Sequence, residues 1–175
     1  CGGGLFSSEL LGDGWRVIAT DLWPDAAQFA HRQGVPEALA FDANTAWPVE
    51  DGAIDAFVML DVLEHVERDR EALTEACRVL RPGGLGVVSV PAYQFLFSPW
   101  DAYNQHFRRY TAGRLARTAR AAGFAVVRTT YWNAVSVPPA MLLRLKDKVQ
   151  GVELSGEVTF PPVPSAVNRA LKAYG

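Results

Sequence analysis

The segment IDAFVMLDVLEHV, residues 54–66, is the most informative stretch of this 175-residue sequence. Its first seven residues are a mostly apolar run that predicts a buried β-strand, and Asp61 follows at the end of that strand. Runs of this kind are typical of parallel sheets that are covered on both faces. We therefore expect Asp61 at the carboxyl edge of a sheet, which is where open α/β folds bind their ligands.

Similar apolar runs alternate with helical segments along the chain. The predicted strands, besides 54–60, are 15–20, 37–41, 85–90 and 124–131, and the predicted helices are 24–33, 68–80 and 111–122. In the last helix, Thr111 is expected as the N-cap and Gly123 as the residue that ends it. Strands that alternate with helices require crossover connections, so the sequence predicts an α/β fold with a mostly parallel sheet.

Acidic residues follow three of the predicted strands, namely Asp21, Asp42 and Asp61. A single aspartate in such a place is usually a turn or helix-capping residue. Three at one edge of a parallel sheet instead favour a ligand that carries hydroxyl groups, amines or a positive charge.

The chain opens with CGGG, residues 1–4, which can be interpreted as a disordered linker or as a ligand-binding loop. A glycine-rich loop lets a phosphate, ribose or amino acid approach the main chain. In this fold the loop follows the first strand, so we expect that strand to be missing and the chain to be a fragment.

With these segments in place, the chain resembles the class I S-adenosylmethionine-dependent methyltransferases from residue 1 to about residue 131. LDVLEHV (60–66) followed by LRPGG (80–84) is the most specific part, and dehydrogenases do not usually carry that pair. The resemblance implies a Rossmann-like fold with helices on both faces of the sheet. It also implies S-adenosyl-L-methionine as cofactor and methyl transfer to the oxygen or nitrogen of a small-molecule acceptor. Residues 1–131 would form the cofactor-binding core, and 132–175 a helical extension of the same domain. In the family the first strand is central to the sheet, so without it two neighbouring strands would lose a hydrogen-bonding partner and the isolated chain would bind the cofactor poorly.

The resemblance also implies which residues hold the cofactor. In the family, the glycine loop passes under the methionine part, the acid after the second strand binds the ribose hydroxyls, and an acid-containing pair contacts the adenine. The family's leading acid and first glycine are absent from this sequence. The matching positions are Gly2 and Gly4 in the loop, Asp21 and Leu22 for the ribose, Asp42 and Ala43 for the adenine, and Leu60 and Asp61 after the fourth strand of the family.

The acceptor side is expected in PAYQFLFSPWDAYNQHFRRYT, residues 91–111, which is long and aromatic for a loop. Related bacterial methyltransferases carry a similar Asp-x-x-x-x-His-x-Arg-Arg-Tyr-Thr stretch. His106 is the candidate general base, because an unperturbed imidazole titrates near neutral pH; alternatively it only holds the loop in place. Arg108 and Arg109 would hold an anionic acceptor, or one of them would bridge Asp101. Tyr93 and Tyr110 complete the expected acceptor-binding set, although an aromatic residue at 93 is more often part of a core.

Composition limits the alternatives. A net charge of −2 and a pI near 5.9 argue against a general nucleic-acid binder. Cys1 and Cys77 form no metal-binding spacing or disulfide framework, so we expect a cytoplasmic protein without a metal.

No apolar run is long enough to span a bilayer. The weakly amphipathic stretch 134–148 could touch a membrane surface, cover the site, pair with a second subunit or pack on the sheet. A non-catalytic binding domain and an NAD(P)-dependent oxidoreductase remain as alternative functions.

Overall fold

The fold is taken from a computed structural model that describes residues 1–132 and, beyond them, residues 134, 137, 138, 141 and 142. In that part of the chain, strands and helices alternate in the order α1 (Leu5–Gly12), β1 (Ile18–Asp21), α2 (Pro24–Arg32), β2 (Glu37–Ala40), β3 (Ile54–Leu60), α3 (Asp69–Val79), β4 (Leu80–Ser89), α4 (Pro99–Tyr103) and α5 (Ala112–Ala121). Single 3₁₀ turns lie at Leu63–His65 and Gln94–Leu96.

The strands form two parallel pairs, β1 with β2 and β3 with β4. Asp21 lies opposite Ala40 in the first pair, and Leu60 lies opposite Ser89 in the second. A helix connects the two strands of each pair, because parallel neighbours need a crossover. This confirms the predicted α/β fold. Among residues 1–132 no strand joins the two pairs, and the expectation of a further strand before residue 1 stays a prediction.

Each pair has its own apolar core. Ala19, Ala30 and Val35 pack together between β1 and α2. The larger core lies on the β3–β4 pair and includes Met59, Leu63, Leu73, Ala76 and Tyr110. In α3 the buried residues recur at helical spacing, so one face of the helix packs on the sheet while the other stays in solvent. Burying a side chain such as Leu73 contributes about 1.5–3 kcal/mol to the free energy of unfolding.

Gly4 shows why the opening loop needs glycine. Its φ of +74° is a left-handed conformation, and a Cβ there would stand 3.0 Å from the Cα and Cβ atoms of Ala30. Only a residue without a side chain allows both this turn and the close approach of α2. α1 begins at the next residue. It is a helix that was not predicted, and its residues Leu5 and Phe6 are exposed.

The structure also corrects some of the predicted elements. The predicted strand at 124–131 is wrong, because those residues form no strand and pair with no other segment in the described part of the chain. α4 was not predicted as a separate helix. In contrast, the caps of α5 are confirmed: the side chain of Thr111 accepts a hydrogen bond from the backbone N–H of Arg114, and Gly123 follows the helix with a φ of +105°.

The predicted helical extension, 132–175, and the amphipathic stretch 134–148 lie outside the described residues except for the few positions named above. Of the described helices, none is both long enough and apolar enough to cross a membrane.

Candidate active site

A pocket of about 370 Å³ opens beside the end of β3. Two segments line it: the turn that follows β3, and the loop between β4 and α5 that was predicted as the acceptor side. Its lining residues are Asp61, Glu64, His65, Pro91, Trp100, Asp101, Asn104, His106 and Arg109. The pocket therefore brings together residues of the two motifs, 60–66 and 91–111, that the sequence analysis treated separately.

Asp101 is the centre of the polar contacts in this pocket. Its carboxylate is fully buried and accepts hydrogen bonds from Nε and Nη2 of Arg109 at 2.7 and 3.0 Å. It also accepts from the backbone N–H and the hydroxyl of Ser98, at 2.8 and 2.9 Å. Burial alone would raise the pKa of Asp101, but the bonds from Arg109 and Ser98 outweigh it and lower that pKa. The predicted bridge between one arginine and Asp101 is confirmed at Arg109.

His106 lies against the same carboxylate, with Nδ1 3.1 Å from Oδ1 of Asp101. When Nδ1 donates to the carboxylate, Nε2 is left as the basic nitrogen of a neutral imidazole. The ring of His65 meets the ring of His106 edge-on, with 4.5 Å between the centroids. Burial, followed by the neighbouring His106, lowers the pKa of His65, which favours its neutral form.

Glu64 also lines the pocket and was not among the predicted site residues. Its side chain is buried, with only 1% of the residue exposed, and its Oε2 has no hydrogen-bond partner in the described structure. Burial raises the pKa of this carboxyl to about 7, and the nearby charges of Asp61 and Asp101 act in the same direction. The backbone N–H of Phe107 donates to the carbonyl of Glu64 at 2.8 Å, which joins the segment between β4 and α5 directly to this residue.

Arg108 and Tyr110 lie outside the pocket lining. Arg108 donates to the carbonyl oxygens of Val66 and Glu67 at 2.6 and 2.8 Å. Tyr110 is buried, and its hydroxyl donates to Asp69 at 2.8 Å. These two side chains therefore connect the loop to the start of α3, instead of reaching into the pocket as the sequence analysis expected.

Tyr93 also lies away from the pocket lining. Its φ is +64°, and its ring stacks on the ring of Tyr131 with 5.0 Å between the centroids. A left-handed conformation is rare for a bulky residue and is tolerated only where the surroundings fix it. Here the backbone N–H of Tyr93 donates to the carbonyl of Tyr110 at 2.7 Å, which fixes the start of the loop.

The first part of the predicted cofactor set lies at the ends of β1 and β2. Asp21 accepts from the backbone N–H groups of Gly2 and Trp23 at 2.9 and 3.1 Å, while the side chain of Leu22 is exposed. The backbone N–H of Phe41 donates to the carbonyl of Asp21 at 3.0 Å, which brings the ends of the two strands together. The glycine loop and the first acidic residue are thus adjacent, and their role in binding the cofactor stays a prediction.

The second part of that set lies after β2 and β3. Asp42 accepts from the backbone and side-chain nitrogens of Asn44, which lowers the pKa of the aspartate, and Ala43 is half-buried against the larger core. Leu60 is exposed at the end of β3. Asp61 has a φ of +51°, a conformation that aspartate adopts more readily than most residues, and its N–H donates to the carbonyl of Ser89.

The chain is similar in sequence to known methyltransferases. Residues 1–88 match the family model of a methyltransferase domain. The chain is 36% identical over 132 residues to a probable S-adenosylmethionine-dependent methyltransferase of Mycolicibacterium smegmatis, over 72% of this chain and 50% of the relative. It is 37% identical over 91 residues to a ubiquinone biosynthesis O-methyltransferase of Xanthomonas oryzae, over 48% of this chain and 37% of that protein. The chain thus spans half or less of the length of these two curated relatives.

A solved structure has the same fold. It is that of an S-adenosylmethionine-dependent methyltransferase from Mesorhizobium loti, which superposes with a TM-score of 0.66 at 16% identity, over 85% of this chain and 82% of that one. The family match covers residues 1–88 of the 175, which is half of the chain and includes every predicted cofactor position. Because its motifs, its fold and the family match all agree, the chain belongs to the methyltransferase domain family, in its class I, Rossmann-like form.

Proposed function

We propose that this chain binds S-adenosyl-L-methionine and transfers its methyl group to the oxygen or nitrogen of a small-molecule acceptor held in the pocket beside His106. The observation that carries the proposal is the position of Asp61, which belongs to the predicted cofactor set and also lines the pocket. Cofactor and acceptor would therefore meet at Asp61. The names of the relatives from Mycolicibacterium and Xanthomonas support the cofactor and a small-molecule acceptor.

The donor chemistry at the strand ends fits this cofactor. A carboxylate can accept from two vicinal hydroxyl groups, as Asp21 would from a ribose, and Asp42 would face the amine of an adenine. The lowered pKa of Asp42 keeps that carboxylate in its accepting form. A Cβ at Gly2 would meet nothing within 4 Å, so the space beside Gly2 in the glycine loop is open. When bound, the cofactor supplies an electrophilic methyl group on a sulfonium.

In the proposed mechanism, His106 accepts the proton that the acceptor group loses as it is methylated. Nε2 is the nitrogen that remains basic when Nδ1 donates to Asp101. Asp101 keeps the ring in this orientation and stabilises the imidazolium, and Arg109 keeps Asp101 ionised. Holding two reactants in line can itself lower the activation free energy, by up to roughly 7–11 kcal/mol in intramolecular reference reactions.

The proposal is tested by methyl transfer from radiolabelled S-adenosylmethionine to a panel of phenols, sugar alcohols and amines. We expect incorporation with at least one class, and a loss of about 10²–10⁴-fold in kcat for His106→Ala, as is typical for removal of a general base. His31→Ala, a substitution of an exposed histidine on α2, serves as the control. A folded protein that binds the cofactor but methylates nothing would favour a non-catalytic binding domain. Hydride transfer with NAD(P) would favour an oxidoreductase.

A further inference from the structure

Three side chains that can ligate a metal converge in the pocket. Glu64, His65 and His106 each offer one ligand atom, and these atoms all lie within 4.8 Å of one another. Glu64 and His65 lie in the 3₁₀ turn after β3, and His106 comes from the loop that closes over that turn. A tetrahedral cation about 2.1 Å from each ligand would place the ligand atoms about 3.4 Å from one another.

The buried carboxylate of Glu64 provides an independent argument. Its Oε2 has no hydrogen-bond partner among the described residues, although nearly all buried polar atoms in folded proteins have one. It lies in a pocket that is also lined by Asp61 and Asp101, and Arg109 pairs with the carboxylate of Asp101. A bound cation would give the oxygen of Glu64 its missing partner.

The surroundings of His106 are those of a metal ligand. Histidines that bind metals usually use their second ring nitrogen to donate to a carboxylate, which fixes the ring and raises its basicity. Nδ1 of His106 lies 3.1 Å from Asp101, and Arg109 and Ser98 in turn fix that carboxylate. The nitrogen that remains for a cation is Nε2.

We infer that Glu64, His65 and His106 bind one divalent transition-metal cation, with coordination positions open towards the pocket. Two imidazoles and one carboxylate favour Mn²⁺, Co²⁺, Fe²⁺ or Zn²⁺ over Mg²⁺, which prefers oxygen ligands. The open positions would take the oxygen of the acceptor, and this part of the inference rests on the proposed function.

The cation would change the role of His106. With Nε2 bound to the metal, the acceptor hydroxyl would lose its proton to water, because a cation acidifies the oxygen that it binds. The bond between the methyl carbon and the cofactor sulfur would break as the bond from that carbon to the acceptor oxygen forms. The cation would keep its oxidation state. His106 would then be the base only in the metal-free protein.

The test measures metal binding in the absence of cofactor and acceptor. Protein stripped with EDTA is titrated with MnCl₂, followed by electron paramagnetic resonance, and with ZnCl₂, followed by calorimetry; MgCl₂ is the comparison. We expect one equivalent of Mn²⁺ and of Zn²⁺ to bind, with at least tenfold weaker binding for Glu64→Gln and for His65→Asn. His31→Asn is the matched control, and we expect it to bind like the unsubstituted protein.

Folding of each variant is checked by circular dichroism, and a variant that fails to fold is replaced by Glu64→Ala or His65→Gln. Absence of stoichiometric binding, or equal binding by all variants, would overturn the inference. Undiminished methyl transfer in EDTA would overturn the role of the cation and leave the proposed function standing. Stoichiometric binding that depends on Glu64 and His65, without any methyl transfer, would support the metal site and contradict the proposed function.

Discussion

Nδ1 of His106 lies 3.1 Å from the carboxylate of Asp101, and the guanidinium of Arg109 holds the same carboxylate with two hydrogen bonds. The three residues come from one loop, 91–110, yet they position a side chain that faces the turn after β3. Asp101 is therefore a positioning residue: its carboxylate is fully buried and fixes the orientation of the His106 ring.

We expect Asp101→Asn to affect both stability and catalysis. The amide cannot neutralise Arg109, and breaking a buried ion pair by removing one partner costs about 3–5 kcal/mol. The amide can also present its N–H to Nδ1 of His106, which would favour the tautomer with the proton on Nε2 and leave no base there. Chemical denaturation measures the first effect. The second effect is measured as a loss of kcat. Because Asp101 acts through His106, the double variant should lose no more kcat than His106→Ala alone. Losses that add fully in the double variant would contradict this account.

Tyr110→Phe distinguishes support of the loop from binding of the acceptor. The hydroxyl of Tyr110 donates to Asp69, and the residue is 2% exposed, so its removal should lower the free energy of unfolding by about 1–2 kcal/mol. Because the side chain lies outside the pocket lining, KM for the acceptor should stay unchanged. Tyr103→Phe, at an exposed position on α4, is the control. A raised KM at full stability would instead restore the role that the sequence suggested for Tyr110.

Gly4→Ala tests the close approach of the opening loop to α2. A Cβ in a left-handed conformation, 3.0 Å from the backbone and side chain of Ala30, should destabilise the protein by about 1–3 kcal/mol. Gly3→Ala is the matched control, because its φ is not in the left-handed region and the nearest atom, on the ring of Phe29, would be 3.6 Å away. Thermal unfolding measures the melting temperatures of the two variants, and that of Gly4→Ala should be the lower. Equal melting temperatures would show that the loop does not pack on α2 as described.

Glu75 should give part of the stability a dependence on pH. Its carboxylate accepts from Nε and Nη2 of Arg78 and from the backbone N–H of Trp47, and these bonds lower the pKa of Glu75 below its usual 4.5. A lowered pKa in the folded state means that the contribution is complete above pH 4.5 and is lost as the pH falls through the folded-state value. At neutral pH we expect Glu75→Gln to cost about 1 kcal/mol, since the pair is partly exposed.

Urea denaturation at a series of pH values measures this difference. The difference in the free energy of unfolding between the unsubstituted protein and Glu75→Gln should become smaller as the solution is acidified. Glu71→Gln, which removes an exposed carboxylate 3.3 Å from Arg70, should show almost no effect at any pH. If the free-energy difference for Glu75→Gln stays constant or grows towards acid pH, the ionised carboxylate of Glu75 does not stabilise the fold as described.

The sequence predicted those parts of the fold that depend on local pattern. Continuous apolar runs located β1 to β4, and Thr111 and Gly123 marked the two ends of α5. The run at 124–131 has the same composition but forms no strand, because a strand needs a hydrogen-bonded neighbour and local sequence does not specify one. α1 was missed for a related reason: its apolar residues Leu5 and Phe6 are exposed and show no helical periodicity.

The candidate site was predictable only in part. The sequence suggested a bridge to Asp101 as one possible role of Arg108 or Arg109, and the structure has this bridge at Arg109. Glu64 was missed because a charged residue between Leu63 and His65 looks solvent-exposed in the sequence. It is buried by a loop that lies some forty residues further along the chain, where the N–H of Phe107 donates to its carbonyl. Only tertiary structure shows such burial.

Calorimetric titration of the intact protein with S-adenosylhomocysteine is the most direct test of the central claim, that the strand ends bind this cofactor. We predict saturable binding that weakens at least tenfold, or about 1.4 kcal/mol, in Asp21→Asn. Asp25→Asn on α2 should bind like the unsubstituted protein, and NAD should not bind. If the folded protein fails to bind the homocysteine ligand, or binds it equally well without the carboxylate of Asp21, the account of the site is contradicted.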